Sequence, residues 1–129
     1  MKLKDSLYTV TASRLVEGGA EYDIRLNPEH FIYAAHFPGE PITPGVCIMQ
    51  TGVELLSLFV GAELELKSVK SIKFLKIISP DEVTELTWHI GKVQNGGGEV
   101  KAQFSVTSGE DVYAKLSLTC VEKNGDSAD

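Results

Sequence analysis

Only two cysteines, Cys47 and Cys120, occur in 129 residues. They form no CxxC pair, and no Cys/His spacing of the metal-ligand type is present, so neither a disulfide framework nor a zinc centre organises the chain. A count of two permits one disulfide. Two buried thiols in a reducing compartment are the expectation. Basic residues are also scarce, 12 Lys and Arg against 18 Asp and Glu, for a net charge of -6. That balance excludes an extended nucleic-acid face, while leaving room for an acidic protein partner at a local basic patch. No apolar run approaches the ~20 residues that span a bilayer. Residues 1–15 lack the apolar core of a secretion signal, so the cytoplasm is the expected location. Internal repeats and low-complexity linkers are missing as well.

What is present is a soluble globular balance, 43% apolar and 23% charged. The length suits one domain with its own core, set at residues 1–122, followed by a polar tail at 123–129 whose last six residues are expected to be disordered. Leu7–Leu15 and Ala20–Leu26 read as strands around a Glu17-Gly18-Gly19 turn, with Tyr22, Ile24 and Leu26 on one face. Asn27–Pro44 holds Pro28, Pro38, Pro41 and Pro44 and reads as a long shaped loop, neither regular helix nor inner strand. A helix then runs to Gly61, with Thr43 as N-cap and Pro44 at its first position. Its stripe of Val46, Met49, Val53, Leu56 and Val60, widened by Cys47, Leu55, Leu58 and Phe59, predicts burial on most sides. Four long strand patterns follow at Val69–Ile78, Val83–Val93, Glu99–Ser108 and Val112–Val121, broken at Pro80-Asp81, Asn95–Gly98 and Ser108-Gly109. The expected architecture is α+β, a long curved antiparallel sheet wrapped around one central helix.

The informative stretch runs from His36 through Val46, His-Phe-Pro-Gly-Glu-Pro-Ile-Thr-Pro-Gly-Val, and leads directly into the helix that carries Gln50 and Glu54. It resembles the HFPGxPxxPGV signature of the hotdog-fold 3-hydroxyacyl-[acyl-carrier-protein] dehydratases, with every element in order. Ser71–Glu82, with its aromatic residue, lysines and proline turn, resembles the strand that follows the helix in that family. The resemblance covers about residues 7 to 122. It implies a hotdog fold and a lyase acting on acyl thioesters carried by an acyl carrier protein or coenzyme A. It also implies a homodimer, or a higher oligomer of dimers, whose sites draw histidine from one subunit and a carboxylate from the other. No metal and no organic cofactor is implied.

Chemistry and resemblance agree on roles. Dehydration needs a base for the C2 proton, and histidine titrates in the right range. It needs donors for the thioester oxygen, which a helix N-terminus at Pro44, Gly45 and Val46 supplies. Gly45, without a side chain, lets the thioester approach the backbone, and Phe37 is a candidate for substrate binding. The departing hydroxyl needs a proton or a strong hydrogen bond. Here the sequence departs from the family: fourteen residues after the histidine, where Glu or Asp is usual, stands Gln50, and four residues later, where Gln is frequent, stands Glu54. Three readings stand open. Glu54 reaches the site across one turn, ~5.4 Å; or His36 shuttles the proton alone while Gln50 orients the hydroxyl or a water; or the chain does not dehydrate. In the last case a hotdog thioesterase, with Gln50 positioning water, and a subunit that takes its acid from a partner are the alternatives.

Other candidates weigh differently. His30 favours loop packing over substrate binding, and His89 reads as an ordinary strand residue. Ala35 stands where the family often has Gly. Cys47 reads as core. Glu54, set among Val53, Leu55 and Leu56, needs water, a partner or a function. Lys67, Lys70, Lys73 and Lys76 serve solubility, or else meet the acidic surface or phosphate of a carrier. Ile32, Tyr33, Phe37 and Phe74 suit an acyl tunnel and a plain core equally well.

Overall fold

The computed structural model describes residues 2–123, and the tail expected beyond Lys123 lies outside the described residues. The elements are β1 (Tyr8–Val16), β2 (Gly19–Leu26), α1 (Phe31–Ala35), α2 (Gly45–Val60), β3 (Leu64–Phe74), β4 (Glu85–Gly96), β5 (Glu99–Ser108) and β6 (Asp111–Glu122). The six strands form one sheet in the order β1-β2-β4-β5-β6-β3, and every neighbouring pair is antiparallel. The architecture is α+β, as the sequence implied.

Alternation explains the layering. In β4, Leu86, Trp88 and Ile90 are buried; in β5, Val100, Ala102, Phe104 and Val106; in β6, Ala114, Leu116, Leu118 and Cys120. Residues between them face away, so one side of the sheet is apolar and receives α2. The closest approach lies at Gly52. A Cβ there would stand 3.2 Å from the Trp88 ring and 3.6 Å from Leu118 and Phe104. The absent side chain lets the helix settle onto the sheet.

That contact corrects the expected helix face. The buried residues of α2 are Cys47, Ile48, Thr51, Gly52, Val53, Leu55 and Leu56, while Val46 is 56% and Leu58 44% exposed. Small residues at 51 and 52 mark the centre of the packed face, where a search for large apolar side chains alone looks one position away. Three further expectations shift. The loop from Asn27 to Pro44 contains α1, because five residues between Pro28 and Pro38 are free of the proline constraint. Pro44, not Thr43, is the N-cap of α2; the Thr43 hydroxyl pairs with Tyr33 instead, at 2.8 Å. Finally, β3 begins at Leu64 and ends at Phe74, so 75–78 is irregular and turns beneath the helix start, held by Leu75 N–H to Tyr113 C=O (2.8 Å) and Thr43 N–H to Ile78 C=O (2.8 Å).

Strand β3 lies at one margin of the sheet and pairs only with β6. Most of its residues are exposed, including Leu66 and Val69. Both cysteines are buried and unpaired with each other. Burial pushes both thiols up, Cys120 to about 11, which keeps them protonated core groups.

Candidate functional site

The prolines of the loop do two things. They keep residues 36–44 out of regular helix and strand, and they deliver the chain to the start of α2 with Pro44 in a β conformation (φ -64°, ψ 148°). His36 closes α1, its N–H bonded to Ile32 C=O (2.9 Å) and its C=O receiving Ile42 N–H (2.7 Å). Phe37 and Glu40 exchange backbone hydrogen bonds of 2.9 and 2.8 Å, which closes the turn around Gly39 (φ 80°). The His36 imidazole is exposed and meets the Phe37 ring edge-on at 5.2 Å.

His36 and the first residues of α2 border the same cavity, of about 390 Å³. Its walls come from the loop (His36, Phe37, Ile42, Thr43), from the helix start (Pro44, Gly45, Ile48) and from Phe74–Ile78. The lining is mainly apolar, and none of it is Asp or Glu. Gly45 lets the half-exposed Phe74 ring lie against the backbone: a Cβ would stand 2.9 Å from the tip of that ring and push it aside. No side chain caps α2; the Cys47 and Ile48 N–H groups bond Pro44 C=O (3.0 and 3.1 Å), which leaves those of Gly45 and Val46 to solvent or ligand, at the positive end of the helix dipole. The cavity thus combines a titratable imidazole, polarised N–H donors and an apolar wall. That set suits a thioester whose carbonyl gains negative charge.

Gln50 and Glu54 lie elsewhere in the single chain. They border a second concavity with Lys2, Lys4, Ser57, Leu58 and Lys123, apart from the His36 cavity. Glu54 is heavily engaged. Oε2 accepts from Leu3 N–H (2.7 Å) and from Gln50 Nε2 (2.9 Å), and Oε1 accepts from Lys4 N–H (2.8 Å) and the Tyr8 hydroxyl (2.8 Å). Burial, and then this carboxylate, push the Tyr8 phenol far above its ordinary value, so it stays a donor. The carboxylate therefore fastens the N-terminal segment to α2 and orients the Gln50 amide.

The remaining candidates are placed as follows. His30 caps α1, its Nδ1 accepting from Ile32 N–H at 3.1 Å, and stacks on Phe31. His89 faces outward from β4, between Glu21 (3.0 Å) and Thr107 (2.9 Å). Val46 is exposed and its side chain is not part of the cavity lining, and Tyr33 is buried. Lys67 pairs with Glu99, and Lys76 with Asp111 at 3.4 Å. Reading the sequence missed Ile42, Ile48 and the stretch Leu75–Ile78 as cavity walls; the one signal pointing there was the proline turn at Pro80. Among the described residues, no group of three or more His, Cys, Asp or Glu is arranged to hold a metal ion, and no helix is long and apolar enough to cross a membrane.

Comparison with known proteins gives the family and the fold. The family profile of ApeI-like proteins, described as ApeI dehydratase, matches residues 13–117. A 3-hydroxyacyl-[acyl-carrier-protein] dehydratase FabZ of Ligilactobacillus salivarius is 35% identical over 106 residues, covering 77% of this chain and 74% of the relative. A FabZ of Levilactobacillus brevis is 32% identical over 106 residues, with 77% and 69% covered. Among solved structures, the dehydratase heterocomplex ApeI:P of Xenorhabdus doucetiae superposes with TM-score 0.70 at 14% identity, over 88% of this chain and 97% of that one. An uncharacterized protein of Erwinia carotovora subsp. atroseptica superposes with TM-score 0.69 at 18% identity, over 90% and 97%. The fold is the hotdog fold, and the chain belongs to the ApeI-like, FabZ-related family of dehydratases.

Proposed function

We propose that this protein dehydrates 3-hydroxyacyl thioesters carried on an acyl carrier protein, with His36 as the base. The observation that carries the reading is that His36 and the uncapped start of α2 border one apolar cavity. The thioester carbonyl accepts hydrogen bonds from the first-turn N–H groups at Gly45 and Val46, and Pro44, Phe37 and Phe74 enclose the acyl chain. The His36 imidazole takes a proton from C2. The C2–H electron pair becomes the C2=C3 double bond, and the C3–O bond breaks toward the departing hydroxyl. The proton on His36 then passes to that oxygen, releasing water. Glu54 is poorly suited to supply this proton, since four donors already occupy its two oxygens. Gln50, oriented by Glu54, is suited to hold the hydroxyl or a water.

Two copies are needed for Gln50 to meet His36, since the two border different cavities in one chain. A dimer that joins copies through the margin at β3 would cover the exposed Phe74, Leu75 and Ile77 beside the cavity. A second reading is favoured by the lack of a carboxylate in the cavity lining: the acid comes from a different hotdog subunit, with Asp or Glu where this chain has Gln50. The Xenorhabdus neighbour is a dehydratase heterocomplex, which makes such a partner reasonable to test.

The test is an assay of purified protein on 3-hydroxyacyl and enoyl thioesters, following enoyl formation and free thiol separately. His36→Ala is expected to lower enoyl formation by about 10² to 10⁴-fold. Gln50→Glu raises it if the missing acid limits the rate. Free thiol without enoyl would replace the dehydratase reading with a thioesterase. Activity only after mixing with a carboxylate-bearing partner subunit would establish the second reading.

A further inference from the structure

The solvent side of the sheet, opposite α2, carries a shallow depression of about 670 Å³ across β3, β4, β5 and β6. Its floor is built from small outward residues, Gly91, Ser105, Ser117 and Ser71, while Phe104 and Leu116 beneath them are buried. Lys70, Lys73, Lys92 and Lys115 stand around it, and no Asp or Glu lines it. Register makes the crowding explicit. Lys73 is the direct cross-strand partner of Lys115, so two like charges sit on adjacent strands ~4.8 Å apart. The irregularity in β4 between Gly91 and Gln94 adds Lys92 to the rim.

These lysines differ from two others in or just after β3. Lys67 and Lys76 are neutralised by Glu99 and Asp111. Among the described residues, Lys70, Lys73, Lys92 and Lys115 make no ion pair. In a chain of net charge -6, a carboxylate-free patch of four cations is a local inversion of sign. The repulsion it contains is relieved by anions from outside.

We propose that this outer face docks a carboxylate-rich surface of a partner protein. Charge complementarity selects the occupant. A nucleic acid would extend past the patch onto Glu21, which lies 3.0 Å from His89 of the lining, and an anionic bilayer would find no exposed apolar residue in the depression to insert beside its headgroups. The face is distinct from the His36 cavity, since Lys73 and Phe74 are successive strand residues and point to opposite sides of the sheet. A partner bound here leaves that cavity open.

The experiment titrates the full-length protein with a twelve-residue Glu/Asp-rich peptide, followed by amide NMR shifts at low and high salt. Expected are shifts at Ser71, Gly91, Gln103, Ser105 and Ser117, and binding that weakens with salt. Lys73→Glu with Lys115→Glu should weaken it at least about tenfold. Lys73→Gln with Lys115→Gln gives a smaller loss by the same mechanism. Lys2→Glu with Lys123→Glu carries the same change of net charge and should leave affinity within about twofold. Equal loss in that control, shifts on another face, or no binding at millimolar peptide would overturn the proposal. So would inorganic polyphosphate or phosphatidylglycerol vesicles binding the same amides more tightly than the peptide.

Discussion

The two ends of α2 are finished in opposite ways. At the C-terminal end, Gly61 adopts the left-handed conformation (φ 76°), and the Gly61 and Ala62 N–H groups both reach Ser57 C=O, at 2.9 and 3.3 Å. The Ser57 hydroxyl donates to Val53 C=O (2.8 Å) and accepts from Leu64 N–H (3.1 Å). At the N-terminal end there is no side-chain cap, and the nearby Thr43 hydroxyl is spent on Tyr33. An absent cap costs about 1 kcal/mol. The helix is secured where nothing else is asked of it, and left bare where its N–H groups border the His36 cavity. Between the ends, the carboxylate of Glu54 is used to hold the fold together.

The largest effect should follow from breaking that middle anchor. Glu54→Ala removes the acceptor for Leu3 N–H, Lys4 N–H, the Tyr8 hydroxyl and the Gln50 amide together. These groups are partly buried, so the expected loss is about 2–3 kcal/mol, read by denaturant unfolding. Glu54→Gln should recover part of it, since an amide oxygen still accepts. A loss below about 0.5 kcal/mol would show that the N-terminal segment contributes little, and would make Glu54 a candidate acid again. The next effect is at the secured end. A Cβ on Gly61 meets nothing within 4 Å, so Gly61→Ala isolates the cost of the left-handed backbone, about 1 kcal/mol, with catalysis unchanged.

How far all this could be read in advance differs by level. Period-2 alternation placed Glu99–Ser108 to the residue, because one face of that strand is buried and the other wet. The start of β3 was missed by five residues. Glu65 and Ser68 pair with β6 while facing solvent, and Lys67 between them is exposed in a bulge, so they carry no apolar signal. In the candidate site, the His36–Val46 loop was legible because its prolines and glycines have fixed spacing. The segment 75–78 was not, since its role depends on where β3 stops. The partners of Glu54 were beyond reach for the same reason: Leu3 and Lys4 are about fifty positions away, and no local pattern links them to α2. The lysines at three-residue spacing separate into paired and unpaired sets only once Glu99, Asp111 and Lys115 are brought beside them.

The smallest change in stability is also the sharpest test of the comparison between the two ends. Pro44→Asp places an N-capping carboxylate at the bare end of α2, within reach of the N–H groups two and three residues on. Capping contributes about 1 kcal/mol, and loss of the rigid proline gives back about 0.4–1 kcal/mol through the unfolded chain. Net stability should therefore move by no more than about 0.6 kcal/mol. Activity should not be so forgiving. The Val46 N–H, one of the two proposed donors, would be occupied, and a fixed negative charge would stand where the thioester oxygen gains its own, so kcat is expected to fall by at least about tenfold. Pro44→Ala separates the two causes, because it removes the proline without adding an acceptor. If Asp and Ala at this position give equal kcat, the start of α2 is not the oxyanion site, and its lack of a cap is a feature of loop geometry alone. A fall confined to Asp would mean that the bare end is kept bare for the substrate.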